Sequence, residues 1–219
     1  MENNGERKGA GRDVTYPKLF WLFMIGSLIG VVIEGVWYYF RHDHWETHVV
    51  SVWGPFCIIY GIGAAVFYAA NCAMRGRNIF DRFAMFAVVG TAVELACGLA
   101  LKYILNMKAW DYTDYPMDFM GLICVKMVVI WGIVGLLFGL LMKPIERVFR
   151  RMDGVMWSIV CVVLTVFMAA NLTLTGICLL RWADRHRGKE PSNSFTEWVD
   201  KKYDDEYMSE RFCEWRFLD

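Results

Sequence analysis

The chain lacks a G-x-x-x-x-G-K-[ST] phosphate loop, so it does not hydrolyse ATP by that device. It also lacks net charge, with 23 basic and 23 acidic residues, which removes the whole-chain argument for nucleic acid as a partner. No cofactor is expected. Its seven Cys are neither paired in loops nor spaced as zinc ligands, so they imply no disulfide framework and read as small hydrophobes. Nor does a nucleophile and base pair or a metal motif stand out, and no enzymatic activity is expected. Above all, charge is missing from long stretches of the sequence.

Those stretches are what the chain has instead, with hydrophobic residues making up 57% of it and ten Trp among them. Five apolar blocks run roughly from Leu19 to Phe40, Val52 to Met74, Phe83 to Leu105, Phe119 to Met142 and Val155 to Leu180. Each is long enough for a helix across about 30 Å of hydrocarbon, which takes about 20 residues. The first is longer than a signal-peptide core and has no small-x-small site after it, so it is expected to remain as a span. The fold class is therefore all-α, a polytopic membrane bundle of about five transmembrane helices over residues 19–180. Residues 1–18 read as a disordered cytoplasmic N-terminus and 181–219 as a polar C-terminal tail.

Three ionisable residues interrupt the blocks: Glu34, Glu94 and Lys126. A charge at the bilayer centre costs about 2.5 to 3.5 kcal/mol, so each should face protein, water or an opposite charge. With about 1.5 Å of rise per residue, Glu34 lies about 9 Å, Lys126 about 10 Å and Glu94 about 16 Å below the outer ends of their spans. One Glu would then neutralise the Lys, leaving the second protonated, solvated or paired with a ligand cation. A salt bridge that only fixes helix register is the plainer reading; a solute or ion site is the sharper one. Gly26, Gly30 and Glu34 stand four apart, as do Gly90, Glu94 and Gly98, placing each Glu on a small-residue face where helices approach closely. Such faces also permit a homodimer.

Between the third and fourth blocks lies Trp110 to Gly121, WDYTDYPMDFMG. Trp110, Tyr112 and Tyr115 suit the headgroup level, Asp111, Asp114 and Asp118 form an acidic group, and Pro116 with Gly121 fits a turn that re-enters the membrane. The loop reads as an interfacial belt or as the lid of an outward vestibule. Gly54 and Pro55, at the mouth of the second block, are placed to break the helix and expose carbonyls, which membranes tolerate only under protein or in a water-filled cavity. The first loop holds His42, Asp43, His44, Glu46 and His48, ligand types on spacings too loose to define a metal site. In the tail, Phe195, Val199, Tyr203 and Tyr207 recur every four residues, one face of a helix. Eight acidic residues against four basic ones from Phe195 onward turn that helix away from acidic lipid and toward protein or solvent.

Basic residues favour a cytoplasmic N-terminus: Arg7, Lys8, Arg12 and Lys18 before the first block, Arg75, Arg77 and Arg82 after the second, and Lys143, Arg147, Arg150 and Arg151 after the fourth. Five spans then put the C-terminus outside, although Arg181, Arg185, Arg187 and Lys189 follow the last one. The two indications conflict.

At Trp53 to Ala65 and again from Trp110 to Trp131 the chain resembles the ABC-transporter type IV family of CmpB-like integral membrane proteins. The matching residues are Gly54-Pro55, Ile59-Tyr60-Gly61-Ile62-Gly63, Glu94 with Gly98, Trp110-Asp111-Tyr112, Pro116, Gly121, Ile123-Cys124 and Trp131-Gly132. Glu34 fits the acidic position late in the first span, and the likeness covers about residues 19 to 176. The chain departs from the family where His48-Val49-Val50 stands for Asn-Arg-Gly, Ile58 for Pro and Asp118 for Asn. The resemblance implies a permease-like protein of a prokaryotic inner membrane whose ATP energy would arrive from a separate ATPase subunit; the basic loop Lys143 to Arg151 is a candidate contact for it, with a plain positive-inside loop as the simpler reading. The expected site is Glu34, Glu94 and Lys126 for a small polar or ionic solute, beneath a vestibule or structural motif of Gly54, Pro55, Tyr60, Trp110, Asp111, Tyr112 and Asp118. The alternative is a non-transporting membrane assembly or regulatory subunit.

Overall fold

The computed structural model describes residues 14–43, 49–152 and 154–218, without the side chains of Arg41 and His42. Most of the chain is helical. In order come α1 (Tyr16–His42), α2 (Ile58–Ala73), α3 (Ile79–Ala100) with a closing π turn (Leu101–Leu105), α4 (Val125–Leu140), α5 (Met142–Arg151) and α6 (Val155–His186). Two short tail helices follow, α7 (Ser194–Lys202) and α8 (Asp205–Arg211), and strands β1 (Met107–Lys108) and β2 (Arg216–Phe217) pair antiparallel. The helix begins at Tyr16 behind Pro17, whose fixed φ suits a first turn. Tyr16 to Lys18, grouped with the N-terminal segment from sequence, thus belong to α1.

Three stretches are long and apolar enough to cross a membrane: 25 residues of α1, 27 of α3 with its π turn, and the 32 of α6. A fourth is a pair, α4 and α5, bent by 49°. At 16 residues α2 is shorter, about 24 Å by helical rise. It nevertheless runs from one end of the bundle to the other, because the chain before it meets the C-terminal tail while Tyr68 and Asn71 near its far end meet Glu146 and Arg82.

Two helix starts differ from the apolar blocks, each for a local reason. Residues 52–57 stay out of α2 because Gly54 has φ +71° and Pro55 has no N–H to give. Residues 119–124 stay out of α4 because Met120 and Gly121 both adopt the left-handed region. Lys126 is consequently the second residue of α4, not seven residues into a span.

α1 packs closely on α2 and α3 on α4, and glycines set both distances. A methyl at Gly61 would lie 2.1 Å from Ser27 Oγ, and one at Gly135 2.1 Å from the Phe86 ring. The tail folds back over the first and third loops, enclosing a core of Met107, Cys178, Trp182, Val199, Met208 and Phe212. Its pairing of β2 with β1 puts the C-terminus at the end of the bundle that carries both loops.

Candidate functional site

Each hairpin of helices carries one membrane carboxylate, and both are built alike. On α1, Gly30 leaves room for the ring of Tyr60 from α2, with Tyr60 Cβ only 2.5 Å from where a methyl would sit. One turn on, the Tyr60 hydroxyl donates to Glu34 Oε1 at 2.5 Å. On α3, Gly90 seats Trp131 of α4, whose Cβ would lie 2.6 Å from an added methyl. One turn on, Trp131 Nε1 donates to Glu94 Oε2 at 2.9 Å. In each hairpin a glycine four residues before the acid admits a neighbouring aromatic side chain, and that side chain's polar tip satisfies the acid.

Their surroundings differ. Glu94 is 6% exposed and takes a second donor, the Tyr112 hydroxyl at 2.9 Å, from the loop above. Burial and the facing carboxylate push the Tyr112 phenol up from its ordinary pKa, so it remains a donor at neutral pH. Glu34 is half-buried. Both donors on Glu94 are neutral.

Lys126 does not join them. Its side chain is exposed, with Nζ 4.8 Å from the centroid of the Tyr115 ring, and among the described residues it forms no ion pair with either glutamate. The expected pairing of charges fails because α4 begins later than the apolar block. The lysine therefore lies at the helix mouth beside an aromatic face, a contact worth about 0.5 to 1 kcal/mol where exposed.

The loop over Glu94 is held by its own polar groups. Asp111 accepts from Lys108 Nζ at 2.7 Å and from the Thr113 backbone and hydroxyl at 3.0 and 2.9 Å. The Lys108 bond first, then those from Thr113, lower its pKa to about 2. Asp118 accepts from the Gly121 N–H at 2.9 Å, and Trp110 Nε1 donates to the Leu122 carbonyl at 2.9 Å. A methyl at Gly98, one turn beyond Glu94, would lie 3.0 Å from Leu122 and 3.3 Å from Trp110. Asp111 and Asp118 thus hold backbone and lysine, and Tyr112 is the part that reaches the carboxylate.

Gly54 and Pro55 lie in a segment fastened on two sides. From α6, Asn171 accepts from the Trp53 N–H at 3.1 Å and donates to its carbonyl at 2.9 Å, while Thr175 accepts from the Val52 N–H at 3.0 Å. From the tail, Tyr207 donates to the Val52 carbonyl at 2.9 Å, Arg211 Nε to the Ser51 carbonyl at 2.8 Å, and Arg211 Nη2 to the Gly54 carbonyl. The carbonyl expected to be free is therefore covered by a guanidinium. Trp131, Asn171, Thr175 and Arg211 were missing from the sequence-based set. Asn171 and Thr175 carried a signal, being polar, four apart and within an apolar block.

The tail is clamped in turn. Arg181, 7% exposed, grips Asp200 with Nε at 3.0 Å and Nη2 at 2.6 Å. Arg185 reaches Asp200 at 2.6 Å and Asp205 at 2.7 Å. The hydrogen bond from Arg181, foremost, holds Asp200 below the usual carboxylate range. Of the first-loop metal candidates, His44, Glu46, His48 and the side chain of His42 lie outside the described residues. Among the described residues no group of three or more His, Cys, Asp or Glu is placed to hold a metal ion.

A helical bundle with apolar outer faces and three to four stretches able to cross a membrane defines a multi-pass membrane protein. This chain belongs to the family described as Putative ABC-transporter type IV, whose model matches residues 21–176. No solved structure matches it. The matched range ends within α6, before Arg181 and the tail.

Proposed function

We propose that this protein is a permease-like subunit that binds or moves a small polar or ionic solute through its outer half, with Glu94 and Glu34 as the acids and Lys126 at the entrance. One observation carries the reading: Glu94 is buried within a span and bonded to two neutral donors. An acid kept at that depth without a counter-charge is suited to accept a proton or a cation. Tyr112 links it to the loop surface. The chain acts without a cofactor or catalysis of its own, and a separate ATPase subunit would meet the basic end at Lys143 to Arg151. The membrane is the inner one, with the N-terminus cytoplasmic. Lys18, Arg75, Arg77, Arg82 and Lys143 gather at that end, while Arg181 and Arg185, which pointed the other way, are engaged by tail acids.

The test is cation and proton flux in proteoliposomes, comparing the natural chain with Glu94→Gln and Glu34→Gln after both variants are shown to elute and melt as folded protein. Flux that vanishes in Glu94→Gln and falls in Glu34→Gln supports the site; equal flux in all three overturns it. A second reading, a non-transporting assembly subunit, is favoured by the saturation of Glu94 from within the chain and by Arg211 over the Gly54 carbonyl. Absent flux together with a stable copurifying partner selects it.

A further inference from the structure

At the basic end, two grooves join. The first, about 320 Å³ in volume, lies among α1, α5 and α6 and is lined by Lys18, Trp21, Glu146, Arg150, Trp157 and Ser158, with Gly154 at its edge. The second is shallow, a strip on the outer face of α6 alone, where Val155, Ile159, Val162 and Val163 are each more than half exposed, and it shares Gly154 and Ser158 with the first. One is polar and cationic at its rim, and the other is almost wholly apolar.

We propose that the pair is a binding site for one anionic phospholipid, with the phosphodiester headgroup in the polar groove and an acyl chain along α6. Charge selects the occupant. Lys18 is bonded to Glu146 at 3.1 Å, so that pair is neutral overall, whereas Arg150 is exposed and forms no ion pair among the described residues. Among the described residues Arg150 is thus the cation left for a phosphodiester, and basic pockets between membrane helices are of the type that hold such headgroups. Trp21 and Trp157 stand edge to face across the junction, ring centroids 5.6 Å apart, where aromatic rings sit at headgroup depth. A free phosphate would use the first groove and leave the second empty. The continuity of the two through Gly154 and Ser158 favours a lipid. Gly154 lies in open space at the junction, and its φ of +148° disfavours a side chain there.

The experiment is native mass spectrometry and thermal melting of the full chain in neutral detergent, titrated with dioleoyl phosphatidylglycerol, with dioleoyl phosphatidylcholine and with glycerol 3-phosphate. A single retained phosphatidylglycerol with a raised Tm is expected, with little effect from the other two. Arg150→Ala should weaken that retention about fivefold, the effect of one cation near a lipid surface, and Arg147→Ala, on the same helix but outside the groove, should leave it unchanged. Ile159→Ser tests the acyl path and should shorten retention without altering the fold. Equal retention of the two lipids, equal loss in Arg150→Ala and Arg147→Ala, or stabilisation by glycerol 3-phosphate matching that of the lipid would each overturn the proposal.

Discussion

The two ends of the bundle are held together by different physics. At the tail end, loops and tail meet through directional polar bonds: Arg181 and Arg185 on Asp200, Asn171 and Thr175 on the chain around Trp53, Tyr207 and Arg211 on the carbonyls beside it. At the opposite end the loops are short, and shape does most of the holding. Gly132 lies against Phe83 and Gly135 against Phe86, so close that an added methyl would fall 2.4 and 2.1 Å from ring carbons. At that end Lys18 engages Glu146 and Arg82 engages Asn71, while Arg77, Arg147, Arg150 and Arg151 lie exposed on the surface. Positive charge near a span end therefore reports orientation only where no fold has engaged it. The arginines after the last span are engaged by tail acids, which makes them a poor guide to the side of the membrane on which they lie.

Breaking the polar end should give the largest effect. Arg181→Ala leaves Asp200 inside the tail with Arg185 alone, and losing one partner of a buried pair costs about 3 to 5 kcal/mol, less where water reaches the other partner. Arg147→Ala, an exposed cation at the other end, should change stability by no more than about 0.5 kcal/mol. Melting in detergent gives the size of the difference, and limited proteolysis gives its place, with cleavage expected first between α7 and α8 in Arg181→Ala. A variant as stable and as protease-resistant as Arg147→Ala would mean that the tail is held by its apolar core alone.

The same contrast explains what could be read from the sequence. Apolar blocks announce helices because length and hydropathy are additive along the chain, so α1, α3 and α6 were legible, as were the glycine faces flanking Glu34 and Glu94. What those glycines admit was not, because Tyr60 and Trp131 come from other helices and nothing local ties them to an acid. Lys126 was misplaced in depth because Phe119, Leu122, Ile123 and Cys124 are as apolar as a helix interior; the backbone conformation at Met120 and Gly121 ends the loop, and hydropathy does not see it. The ion pairs of the tail were hidden for the opposite reason. Its acids and the arginines of α6 are each ordinary surface residues until the chain folds back.

Shape at the basic end offers a smaller but cleaner test. Gly135→Ala drives a methyl into Phe86, which is fully buried, and overpacking of this sort costs about 1 to 3 kcal/mol. Gly63→Ala introduces the same methyl on α2 where nothing lies within 4 Å, and there it should stabilise by up to about 1 kcal/mol through helix propensity. Comparing the melting of the two separates close approach from glycine's flexibility. If both shift alike, then α3 and α4 are not held at the distance those glycines allow.

Acid should loosen one end before the backbone of the spans responds. Asp200 has its pKa lowered, first by the hydrogen bond from Arg181, so the folded tail binds fewer protons than the unfolded one. The stabilisation is complete above the ordinary aspartate value of about 4 and is lost as pH falls through the lowered value. Asp111, lowered to about 2 by Lys108 and Thr113, should release the loop over Glu94 as pH falls through that value. Because these carboxylates are partly solvated, the change is modest and calls for a local probe. Hydrogen exchange should show tail amides unchanged in protection from pH 8 to pH 5, once corrected for intrinsic rates, and losing it below about pH 4, while α4 amides hold. Arg181→Ala should abolish that step. A tail whose protection is the same at pH 3 as at pH 7 would show that the arginine and aspartate cluster decorates this end rather than closing it.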